Sequence, residues 1–259
     1  MDVKQRFNVN LSGQGTQPMV FAHGYGCDQS MWRWVAPAFE RDYRVVLFDL
    51  AGSGQADPSA YDRMRHATLR GYARDVLELV TELDLHDVIF VGHSVSAIIG
   101  ILAAIERPEH FARLILVGPS PCYIDAGDYR GGFSREDIDG LLDALDSNYL
   151  GWADTSEQAE PETGVGRTRA DIARAFARVA FLSDNRPDLA HVHTRSLILQ
   201  VTDDLIAPVT VGEYMQRSLC QSELVLLESR GHCPQISVPA QTIAAMRGFL
   251  GCDAAHVTV

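Results

Sequence analysis

Val88-Ile89-Phe90-Val91-Gly92-His93-Ser94-Val95-Ser96-Ala97-Ile98-Ile99-Gly100 is the stretch around which the chain is organised. Val88 to Val91 are apolar without a break, which predicts a strand buried on both faces. Val95 to Ile105 are apolar or small throughout and predict a buried helix. Between them, Gly92-x-Ser94-x-Ser96 matches the G-x-S-x-G nucleophile elbow except at its last position. In that motif the strand turns into the helix so sharply that the serine backbone is strained and its hydroxyl stands out above the sheet. The positions two before and two after the serine must be small, because strand and helix nearly collide there. Gly92 and Ser96 both meet that demand. As a bare string Gly-x-Ser-x-Ser is common in loops; its place after a buried strand and before a buried helix gives it meaning.

Met19-Val20-Phe21-Ala22, Arg44 to Asp49 and Leu114 to Gly118 predict further buried strands. A helix over Leu69–Leu83 carries Val76, Leu79, Val80 and Leu83 on one face. This alternation predicts a mostly parallel sheet with helices on both faces. Arg6 to Leu11 alternates as an edge strand would, and Asp28 to Phe39 predicts a short helix over the sheet. Gly52-Ser53-Gly54 lacks the third glycine and the immediate helix of a dinucleotide fingerprint. From Pro119 to about Leu189 no strand is predicted. Helices over Glu136–Leu150 and Ala170–Phe181 read as a lid over the strand ends, where such sheets bind ligands. Ala153 to Arg169 is polar, with Val165 its only sizeable apolar residue, and predicts a surface loop. The sheet resumes at Ser196–Val201 and Glu223–Leu227, with helices near Val211–Leu219 and Ile236–Leu250. The expected division is a core of residues 1–120 and 190–259 and a lid of residues 121–189.

A chain of 259 residues with 46% hydrophobic and 22% charged residues suits one globular domain with a sizeable core. Thirty-four acidic residues against 22 basic ones give a net charge of −12, which argues against nucleic acid or an anionic membrane as partner. The five cysteines are odd in number and unpaired in spacing, so a disulfide framework is not expected and a reducing, cytoplasmic setting is. The first ten residues hold no apolar signal region, and no apolar run reaches membrane-span length.

Three polar features follow the ends of buried strands: Ser94, the pair Asp203-Asp204, and His232. A serine hydroxyl is a poor nucleophile until a histidine can take its proton. The histidine needs a carboxylate to fix its tautomer and stabilise its charged form. Ser, then Asp, then His is the chain order of such triads on this kind of sheet. The loop His23-Gly24-Tyr25-Gly26 follows a strand and can aim the Tyr25 N–H at an oxyanion, with the Val95 N–H as second donor. His23 and His93 flank the site and read as positioning its backbone. No His/Cys cluster has metal-ligand spacing, and neither metal nor cofactor is expected. Haloalkane dehalogenation is disfavoured, since it wants a carboxylate where Ser94 stands.

Several longer stretches carry a resemblance. They are His23-Gly24-Tyr25-Gly26-Cys27-Asp28-Gln29-Ser30, Gly92-His93-Ser94-Val95-Ser96-Ala97, Val117-Gly118-Pro119-Ser120-Pro121-Cys122-Tyr123, Phe181-Leu182-Ser183-Asp184-Asn185-Arg186 and Gly231-His232-Cys233-Pro234. Together they resemble the α/β-hydrolases that include the bacterial stress-response hydrolase RsbQ and the plant strigolactone and karrikin receptors. The resemblance implies an α/β-hydrolase core, a V-shaped lid of four helices, and a Ser-His-Asp triad of Ser94, His232 and Asp204. It implies an apolar pocket for a small hydrophobic ester, lactone or enol ether, with His93, Trp152 and Phe181 as substrate-binding residues beside Tyr25 and Val95. It also implies an alternative role as a signalling module that binds or slowly hydrolyses a metabolite and engages a protein partner. The segment 153–169 departs from the pattern by being shorter and more polar, which would truncate one arm of the V and open the pocket to bulkier esters.

Overall fold

The computed structural model describes residues 1–155 and 170–251, with backbone alone for 146–155. Its centre is a seven-stranded sheet of β1 (Asn10–Ser12), β2 (Pro18–Ala22), β3 (Arg44–Phe48), β4 (Val88–His93), β5 (Phe111–Val117), β6 (Ser196–Asp203) and β7 (Ser222–Arg230). The strand order is β1-β3-β2-β4-β5-β6-β7, and only β1 runs antiparallel to its neighbour. The expected mostly parallel sheet is therefore present.

The strand β4 sits at the middle, between β2 and β5. Its side chains alternate between the two faces, as a pleated strand requires. Val88 and Phe90 enter one apolar cluster, with α2 (Leu69–Glu82) and α3 (Val95–Glu106). Ile89 and Val91 enter the other, with Met31, Trp32 and Phe39. The helix α3 lies so close on β4 that a Cβ on Gly100 would stand 2.4 Å from the Phe90 ring.

Three local readings need correction. Arg6–Leu11 is not a strand throughout: α1 (Val3–Arg6) precedes it, and β1 begins only at Asn10. Val3 and Phe7 stand four apart and are both buried on one face, and the Asp2 carboxylate accepts the Lys4 N–H, so the first turn closes as a helix. The chain then turns at Asn8, whose φ is 47°. Asp28–Phe39 forms two 3₁₀ turns, Gln29–Trp32 and Ala36–Phe39, since Pro37 can only open a helix. The last helix divides into α7 (Pro234–Ser237) and α8 (Pro239–Leu250), because Pro239 breaks the ladder.

Between β5 and β6 the described residues hold α4 (Arg135–Thr155) and α5 (Ala170–Leu182), which pack together. Ile138, Leu142 and Ala177 meet Tyr123 in a separate apolar cluster. Ala153 to Thr155, expected in a loop, continue α4; the rest of the expected polar loop, 156–169, lies outside the described residues. The helix α6 (Val209–Ser218) joins β6 to β7.

Candidate active site

Ser94 ends the turn from β4 into α3 at φ 55° and ψ −121°, a conformation that L residues rarely adopt. The turn is as tight as the small residues imply. A Cβ on Gly92 would lie 2.5 Å from the Ser96 carbonyl oxygen, and the Ser94 N–H is tied to the Val117 carbonyl at 2.8 Å.

His232 follows β7, and Asp204 follows β6. The His232 Nδ1–H donates to Asp204 Oδ2 at 2.7 Å, which leaves Nε2 as an acceptor for the Ser94 hydroxyl at 2.8 Å. The other Asp204 oxygen accepts the N–H groups of Ile206 and Ala207, at 2.8 and 3.1 Å. This carboxylate is fully buried while the histidine side chain is 16% exposed. Asp203 plays a different part. Its exposed carboxylate pairs with Arg230 at 3.3 Å, and its carbonyl accepts the Gly231 N–H, so it holds the two strand ends together. Sequence order and physics left both aspartates open, and the geometry separates them. Ser94, His232 and Asp204 form an arrangement that fits a Ser-His-Asp triad.

The His23–Gly26 loop lies against this centre. A Cβ on Gly24 would meet His93 Nδ1 at 2.4 Å and the Ser94 Cβ at 3.4 Å. His23 is buried and its Nε2 accepts the Leu50 N–H at 3.0 Å, so its Nδ1–H donates to the Gly24 carbonyl at 2.8 Å. Burial lowers its pKa and keeps it neutral. In the trans peptide that follows, the Tyr25 N–H points opposite to that fixed carbonyl. Val95 opens α3, where the backbone N–H has no carbonyl one turn back. Ser96 donates its hydroxyl to the His23 carbonyl. The residue that departs from the motif's final glycine thus tethers the loop to the elbow, a contact no local spacing reveals.

Of the two roles read for His93, positioning backbone and touching substrate, the second is corrected: the residue is 2% exposed and its Nε2–H donates to the His232 carbonyl at 2.9 Å. It supports the backbone of the histidine loop. Burial pushes its pKa down to about 3, so the ring stays neutral where an unfolded chain would protonate near 6.5. The unfolded state then binds more protons between these values, and stability must fall as pH drops through that window. Chemical unfolding measured from pH 7 to pH 4 should lose about 1 kcal/mol per pH unit on this account, and His93→Gln should flatten the slope. An unchanged slope would remove the assignment.

Phe181 packs beside the Tyr25 loop. Its ring stands 5.9 Å from Tyr25 and 5.0 Å from Tyr123. Trp152 falls in α4, but its side chain lies outside the described residues. Two residues carried no assigned role in the sequence. Phe176 packs against Tyr25 at 5.8 Å and stacks on Tyr72 at 4.5 Å. The Tyr123 hydroxyl lies 3.3 Å from Ser94 Oγ. Since the serine proton goes to His232, the tyrosine is the donor, and burial pushes its pKa up to about 12. Its position after β5, the neighbour of the elbow strand, was the available signal.

Residues 19–245 match the model of the alpha/beta hydrolase family. A karrikin insensitive 2 receptor of Petunia hybrida is 38% identical over 266 residues, covering 98% of both chains. A strigolactone esterase of Arabidopsis thaliana is 38% identical over 261 residues, 96% of this chain and 98% of that one. Among solved structures, a hydrolase from Oleispira antarctica superposes with a TM-score of 0.90 at 35% identity over 96% of each chain. With a strained serine between β4 and α3, a matching family model over most of its length, and relatives of this likeness, the chain belongs to the alpha/beta hydrolase family.

Proposed function

We propose that this chain is a serine hydrolase that cleaves a small hydrophobic ester, lactone or enol ether with Ser94 as nucleophile, an ester or lactone passing through an acyl-enzyme. The observation that carries the reading is the hydrogen-bond chain from Asp204 through His232 to Ser94 on its strained turn. Ser94 Oγ attacks the carbonyl as His232 Nε2 takes its proton. Asp204 holds the ring in that tautomer and stabilises the imidazolium. His232 then gives the proton to the leaving oxygen, and water repeats the sequence to free the acyl group. The N–H groups of Tyr25 and Val95 hold the oxyanion, each worth about 10²–10³ in rate. The rings of Tyr25, Phe176 and Phe181 offer an apolar wall, which supports a hydrophobic substrate. The names of the relatives support the ester and lactone class. Residues 121–189 are read as a lid over the core of residues 1–120 and 190–259.

The test is hydrolysis of p-nitrophenyl esters from acetate to decanoate, together with labelling by a fluorophosphonate. Turnover of part of the series and one adduct per chain on Ser94 are expected. No turnover with Ser94 unlabelled would overturn the reading. A preference for long chains would mean an open pocket. The receptor names among the relatives favour a second reading, a sensor of a small apolar metabolite that engages a protein partner; a single slow turnover would support it. Gly24→Ala should lower kcat about 10²-fold and lower the melting temperature as well, since the new methyl forces the loop away from the buried His93 ring. Full activity in that variant would remove the Tyr25 N–H from the mechanism.

A further inference from the structure

Tyr123 follows β5, and its side chain is buried. Its ring is held by Phe181 at 5.0 Å and packs in one apolar cluster with Ile138, Leu142 and Ala177. None of these side chains offers an acceptor. Among the described residues the hydroxyl has one hydrogen-bond partner, Ser94 Oγ at 3.3 Å. Burial pushes the phenol pKa up to about 12, so the proton stays on and the group stays a donor. Ser94 Oγ gives its own proton to His232 Nε2 at 2.8 Å. The reacting oxygen therefore carries two contacts, and the proton transfer uses only the one to His232.

Acylation changes that oxygen. A serine hydroxyl is a good acceptor; the same oxygen in an ester shares its lone pair with the carbonyl and is a poor one. Tyr123 is then left with a weakened acceptor, and a buried donor without a partner is costly. The hydrogen bond thus favours the free serine over the acyl-enzyme. We propose that Tyr123 is a catalytic donor to Ser94 Oγ that speeds release of the acyl group, and so separates a hydrolase that turns over from a protein that keeps its acyl adduct. This role rests on the acyl-enzyme reading. In the step concerned, water adds to the acyl carbon as His232 Nε2 takes a proton from it. The bond from that carbon to Ser94 Oγ then breaks, the acid leaves, and Oγ takes the proton from His232. Charge builds on Oγ as the bond breaks, and the Tyr123 hydroxyl is already in place to stabilise it. The contact is long for an O–H···O bond, so the expected effect is about tenfold, near the low end for a buried donor left without an acceptor.

Tyr123→Phe with p-nitrophenyl acetate tests this, the acid-quenched chain being analysed by peptide mass spectrometry for the fraction acetylated on Ser94. That fraction and kcat together give the deacylation rate. Deacylation should slow about tenfold and the acetylated fraction should rise toward full occupancy. The ratio kcat/KM, which reports acylation, should hold within about twofold or increase. A variant whose site is merely disturbed would lose kcat/KM without accumulating adduct; that result, or an unchanged deacylation rate, would overturn the role. Where the variant folds poorly, meta-fluorotyrosine at position 123 decides. It is a stronger donor of nearly the same shape and should speed deacylation, and an equal or slower rate would refute the role. Fluorophosphonate labelling keeps the two readings apart. A wild-type chain left unlabelled at Ser94 would remove the hydrolase reading and this role with it. Normal labelling of Tyr123→Phe with unchanged deacylation would remove the role alone.

Discussion

Hydrolysis of p-nitrophenyl acetate by the Ser94→Ala variant should fall by about 10⁴-fold or more. Alanine keeps the Cβ, and the positive φ at this position strains alanine no more than serine, so the turn should survive. The substitution removes the Oγ that His232 Nε2 accepts from and that Tyr123 donates to. Unchanged circular dichroism and melting temperature would show that the loss is chemical. His232→Ala should cost about as much as Ser94→Ala, and the double variant little more than either, because groups that act as one unit are not additive. The residual rate belongs to the oxyanion donors and to binding. A Ser94→Ala chain that still turns over freely would sink the proposal, and independent, additive losses would break the claim that the two residues share one proton.

What the sequence disclosed and what it hid divide along a physical line. β4 and α3 were legible because burial on both faces leaves an unbroken apolar run, and the elbow was legible because its steric demand is local. Ser94, Asp204 and His232 could be found since each follows a strand end, which fixes position without knowledge of side-chain contacts. Asp203 and Asp204 stand next to each other, and spacing could not choose between them. The choice rests on which carboxylate is buried against His232 and which reaches Arg230. Ser96 to His23 and Tyr123 to Ser94 join residues 73 and 29 positions apart. No periodicity encodes such pairs. The substrate role read for His93 fails for a related reason: adjacency to the nucleophile in sequence does not say which side of the strand a side chain enters. The short α1 was missed because Val3 and Phe7 fit alternation and helical spacing equally well over so few residues.

Asp204→Asn should lower kcat by about 10⁴-fold with little change in KM, the loss measured when the triad aspartate of a serine protease is made an asparagine. The surroundings of Asp204 decide which way the new amide points. One carboxylate oxygen accepts the N–H groups of Ile206 and Ala207, and only an oxygen can do so. The amide oxygen must therefore stay on that side, and the amide nitrogen must face His232 Nδ1. Two donors cannot share that contact, so the histidine proton moves to Nε2, which then confronts the Ser94 hydroxyl with a hydrogen instead of a lone pair. The serine loses its base while every residue remains in place. Asp203→Asn is the matched control one residue away. It weakens an exposed ion pair with Arg230 that is worth at most about 1 kcal/mol, and it should leave the rate within about twofold of wild type. Steady-state kinetics on both variants separate the readings. A severe loss from Asp203→Asn with a mild one from Asp204→Asn would reassign the acid, whereas a mild effect from both would mean that the tautomer of His232 is set by something other than a carboxylate.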